Sequence, residues 1–82
     1  MSPDRERFER AESLHRRARD RACEAELAGD HALALALWLA AAQHADEAAR
    51  TAHLHTLVPI FQGHASRARG SIKFWTDHLY TH

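Results

Sequence analysis

The chain has one cysteine, one methionine, two prolines and three glycines in 82 residues, and no excess of either charge. The lone Cys23 excludes an intramolecular disulfide and suits a reducing cytosol, where it reads as a small apolar residue on a helix face. Eleven Lys and Arg balance eleven Asp and Glu, so no long-range field draws the whole molecule to nucleic acid or to an anionic membrane. Charge begins at Asp4, and no apolar run approaches the ~18 residues of a membrane span. A cytoplasmic protein without signal peptide or membrane anchor is therefore expected. Also missing are a glycine-rich phosphate loop, zinc-finger spacing, a dinucleotide fingerprint, an internal repeat and a low-complexity linker.

Catalysis has no visible basis, because a nucleophile needs a base and an orienting third group, and no local pattern supplies them. Cys23 and His15 lie two helical turns apart, a spacing that helix stripes produce by chance. No enzyme and no cofactor are expected. The eight histidines raise metal binding or pH sensing, since neutral imidazole is a common metal ligand. Their spacing gives little support. Glu12 and His15 make one Glu-x-x-His step where a di-metal bundle needs two. His53 and His55 point to different sides of a helix, and His78 and His82 share a face only at the chain end.

What is present is helix. Ser2 and Pro3 read as N-cap and first helical position, with Asp4 and Glu6 at the positive end of the dipole. Phe8, Ala11, Leu14, Ala18, Ala22 and Ala25 then form a narrow apolar stripe, with Glu6/Arg10, Glu12/Arg16 and Arg16/Asp20 as outer ion pairs. Gly29 suits the left-handed position that ends this helix, and Asp30 caps the next. Residues 29 to 45, GDHALALALWLAAAQHA, then give a helix apolar on almost every side. Leu33 and Leu37 share one face, while Leu35, Trp38 and Leu39 fall well round from them. A helix coated this way needs partners on at least two flanks.

Pro59 is expected to end or kink the second helix. Val58, Ile60 and Phe61 are apolar enough to cap a core, and Gly63 and Gly70 bracket a basic HASRAR stretch that reads as loop or short helix. A last amphipathic helix carries Ile72, Trp75 and Leu79. The expectation is one all-α domain, residues 1–82: an antiparallel helical hairpin of about residues 3–28 and 31–56 with a short C-terminal helix of about 71–80. A chain this short is near the limit at which one core suffices, so a homodimer is expected. Leu35, Leu37, Trp38 and Leu39, with Ile72 and Trp75, are the candidate protein interface; intramolecular core is the alternative for each.

Charge is uneven along the chain. Residues 50 to 82 carry Arg50, Arg67, Arg69 and Lys73 against Asp77 alone, and the histidines there add charge below about pH 6.5. Arg67, Arg69 and Lys73, beside Phe74, Trp75 and Tyr80, form the one mixed basic and aromatic patch suited to nucleic-acid contact. Three cations would attach only weakly, and direct nucleic-acid binding is not expected.

The run from Ala22 to Ala42, with Glu26, Gly29, Ala34, Leu37, Trp38, Ala41 and Ala42, resembles the helix-turn-helix core of the ANR family. Those are small bacterial regulators that typically act against AraC-type virulence activators. His31 stands at that family's tyrosine position and Ala25 at its leucine position. The resemblance implies a dimeric or oligomeric helical protein that binds another regulator, blocking its dimerisation or its access to DNA, without catalysis or cofactor. The letters G-D-H-x-x-A-L followed by Ala41 are also similar to a single tetratricopeptide-type hairpin, in which a small residue marks a helix crossing. An accessory or adaptor subunit docking on a larger complex is the alternative function.

Overall fold

The computed structural model describes residues 3–80, with side chains described from Arg5 onward. Three helices follow one another: α1 (Pro3–Leu27), α2 (His31–Thr51) and α3 (Leu57–Tyr80). No strand occurs among the described residues. The Cα atoms span 48 × 19 × 14 Å, a narrow body little thicker than its helices are wide.

The turn between α1 and α2 is built as its residues dictate. Gly29 adopts φ +76°, the Gly29 N–H donates to Glu26 O at 3.1 Å, and the Asp30 N–H donates to Ala25 O at 2.9 Å. That pair of bonds is the Schellman closure of a helix C-terminus. Asp30 then accepts from the Leu33 N–H at 3.2 Å and caps α2. The Ser2 N-cap lies outside the described residues.

Two expected boundaries are overturned. α2 ends at Thr51, whose Oγ1 donates to Glu47 O, and Ala52 leaves helical geometry at ψ 126°; the second helix therefore stops short of residue 56. The C-terminal helix starts at Leu57 rather than near 71 and runs 24 residues straight through Gly63 and Gly70. Pro59 does not end the second helix, which has already stopped at Thr51, but lies inside the third. It occupies the first turn, where its missing N–H is one of the donors a helix leaves unpaired anyway. Phe61, Ala65, Ala68, Ile72, Trp75 and Leu79 then recur at steps of three and four along one unbroken stripe.

Phe8, Ala11, Ala18, Ala22 and Ala25 of α1 meet Ala34, Ala41, Ala42, Ala45 and Ala48 of α2 and Phe61, Ala65 and Ala68 of α3, all buried. No large side chain is fully buried among the described residues. One stripe position is corrected: Leu14 is 37% exposed, and His15 turns inward in its place. Contacts between α1 and α2 run in opposite numerical senses, Arg7 with Glu47 and His15 with Ala41. The α1 and α3 backbones stay apart, bridged by Phe8 on Phe61 (edge-on, 5.3 Å) and by Trp75 Nε1 donating to Glu26 at 2.9 Å.

Two glycines test this arrangement in opposite directions. At Gly29 a Cβ meets no neighbour, so Gly29→Ala acts through its positive φ alone and is expected to cost about 1–2 kcal/mol. Gly70 is helical and equally open, so Gly70→Ala is expected to stabilise by about 0.5–1 kcal/mol. Urea midpoints at constant m-value check both signs.

Candidate protein-interaction surface

α2 lies between its two neighbours, and its stripes can be assigned from the bonds they make. Leu35, Leu39 and Asp46 share one stripe, and Asp46 accepts from Arg69 of α3. Leu33, Leu37, Ala40 and His44 share another, continued by Glu47, which is bound by Arg7 of α1 at 2.7 Å. Each neighbour thus covers the alanine ridge and leaves a leucine shoulder beside it. Leu33 is 42% and Leu39 45% exposed, while Leu35, Leu37 and Trp38 are half-buried. The Trp38 Nε1 is buried without a hydrogen-bond partner.

Of the α3 residues assigned to the interface, Ile72 is half-buried on the helix's inner stripe. Trp75 stacks on His31 at 4.4 Å while bonding Glu26, so it ties α3 to the α1–α2 elbow. Phe74, 60% exposed, lies beside it edge-on at 4.9 Å. The three cations of the basic patch do not share a face. Arg67 lies well round α3 from Arg69 and Lys73, and Arg69 is held by Asp46.

The histidines are distributed rather than gathered. Among the described residues, no group of three or more His, Cys, Asp or Glu is placed to hold a metal ion. Glu12 is taken by Arg16 at 2.6 Å, His53 packs edge-on against Phe8, and His82 lies outside the described residues. Of the other expected outer pairs, neither Glu6/Arg10 nor Arg16/Asp20 forms; Asp20 pairs with Arg19 instead. Cys23 is exposed and His15 buried, so the two do not meet.

His15 is the polar exception in the core. Its Nδ1–H donates to Ala41 O at 2.9 Å, and its Nε2 is buried without a partner. Its ring packs against His64 with centroids 5.3 Å apart and against Phe61 at 6.4 Å. Composition hid this residue; its signal was the i, i+3, i+4 position beside Ala11, Ala18 and Ala22.

The His64 pKa is lowered from its ordinary 6.5, first by burial and then by His15, Arg67 and Arg19. A depressed folded-state pKa means the unfolded chain takes the proton first, so this contribution is present above pH 6.5 and is lost as pH falls below it. The thermal midpoint is therefore expected to drop between about pH 7.5 and 5.5, with a flatter profile in His64→Gln, as calorimetry at matched ionic strength will read.

No helix of the described residues is long and apolar enough to cross a membrane. No family model, curated protein or solved structure matches the chain.

Proposed function

We propose that the chain is a small protein-binding regulator that acts through helix–helix association and forms a homodimer along the Leu35 and Leu39 shoulder of α2. One observation carries this reading: the interior is mostly alanine, while the four leucines of the most apolar helix stay exposed or only half-buried. Scattered exposed leucines are ordinary, whereas exposed Leu39 on one stripe with half-buried Leu35, on the same helix as half-buried Trp38, has the make-up of an interface. A two-fold contact would set each shoulder against its copy.

On this reading α1 and α2 are an antiparallel hairpin, supported by the opposite numerical sense of their contacts. The ANR-like run spans that elbow, and the likeness supports a bacterial, cytoplasmic regulator whose target is a transcription factor. Its work is to occupy the partner's own association surface. Direct DNA contact has little place in it, since the α3 cations are divided between faces.

Sedimentation equilibrium at tens of micromolar tests the association. The wild type is expected at twice the 9.3 kDa chain mass. Leu35→Glu/Leu39→Glu is expected to weaken the dimer by at least about a hundredfold, since two buried leucines contribute roughly 3 kcal/mol or more. A monomeric wild type contradicts the homodimer.

A further inference from the structure

We infer that the opposite shoulder, the cleft between α1 and α2, is a docking site for an acidic amphipathic helix. The inference rests on the reading of the chain as a protein-binding module, but not on its being a dimer. The cleft floor is apolar: Leu14 and Ala18 from α1, Leu37 and Ala40 from α2, around a space of about 280 Å³. Arg17 and Arg21 stand on its α1 rim, and Arg10 extends that rim where the cleft continues past Leu14 and His44.

The charge on this rim is unanswered. Arg10, Arg17 and Arg21 are exposed and form no ion pair among the described residues; Arg67, on α3, is also unpaired, whereas Arg5, Arg7, Arg16, Arg19, Arg50 and Arg69 all pair. Glu47, the acid lining the cleft, is already bound by both Arg7 and Arg50. A second copy presenting this same face would bring arginines to arginines, which disfavours it as the occupant.

The geometry points to the occupant's chemistry. Leu14 lies on the same stripe as the three arginines, at steps of three and four, so apolar floor and cationic rim alternate along α1. From Arg10 to Arg21 the rim runs about 16 Å, the length of three helical turns. A helix laid along it meets the floor with an apolar stripe and the rim with carboxylates on one flank, the helix-in-groove mode of recognition. A phosphate backbone would satisfy the arginines but leave Leu14, Leu37 and Leu33 wet, so a protein helix fits better than nucleic acid.

Fluorescence anisotropy with three synthetic peptides of about five helical turns tests this. One carries a leucine stripe flanked by glutamates, the second the same residues in scrambled order, and the third lysine in place of glutamate. The first is expected to bind the full chain at least about tenfold more tightly than either control and to weaken as salt rises. Arg17→Glu/Arg21→Glu, at two exposed sites, is expected to lose that advantage with unchanged circular dichroism and sedimentation. Equal binding of all three peptides, full binding by the double variant, or tighter binding to duplex DNA or phosphatidylglycerol vesicles than to the first peptide overturns the proposal. Peptide binding by a monomeric wild type sinks the homodimer and leaves the docking site standing. A dimer without selective peptide binding does the reverse.

Discussion

The alanine interior governs everything else in this molecule. Ala22, Ala34, Ala41, Ala45, Ala48 and Ala65 sit where the helices cross, and their short side chains let the backbones approach closely. Close approach leaves no room for leucine between the helices, so the leucines of α2 are displaced to the shoulders of the contact. A buried methyl contributes roughly 0.8 kcal/mol where a buried leucine contributes about 1.5–3. The interior therefore holds the three helices in register without absorbing the chain's main apolar surface.

The larger side chains do a different task, closing the gap that the separated α1 and α3 backbones leave. Phe8 and Phe61 meet edge-on beside the α2–α3 connection, His15 and His64 pack next to them, and Trp75 ties the opposite end through Glu26 and His31. Placing His64 in that gap couples the packing of α3 to its protonation. His15 holds its ring by the bond to Ala41 O, so the pair's geometry is set from α2, the helix that also carries both leucine shoulders. The two shoulders differ in charge. One has its acid and base joined across to α3 by Asp46 and Arg69, and the other carries Arg10, Arg17 and Arg21 without an ion pair among the described residues, beside Glu47 already held by Arg7 and Arg50.

Much of this was readable from residue order alone. Gly29 followed by Asp30 specified the elbow because a positive φ and an N-cap are local demands, met within a few residues. The all-round apolarity of α2 followed from composition, and the structure leaves those leucines partly uncovered. Pro59 was harder to read, because proline signals the first turn of a helix as readily as a break, and only the stripe from Phe61 to Leu79 decides between them. The exchange of Leu14 for His15 escaped because hydrophobicity ranks leucine as the inner residue, while the deciding factors, the Ala41 carbonyl and the neighbouring aromatic rings, come from α2 and α3. The arginine-rimmed cleft was illegible for the same reason: which arginines stay unpaired depends on where Glu47 and Asp46 lie in space.

On the proposed reading, completion of this fold requires a second chain laid against its leucines. That requirement is tested most directly by thermal unfolding of the wild type over a hundredfold range of protein concentration. Association of the native state alone raises the midpoint as concentration rises, and that is the result expected here. A midpoint that stays fixed across the range would show that the three helices stand complete as a single chain, and would contradict the account.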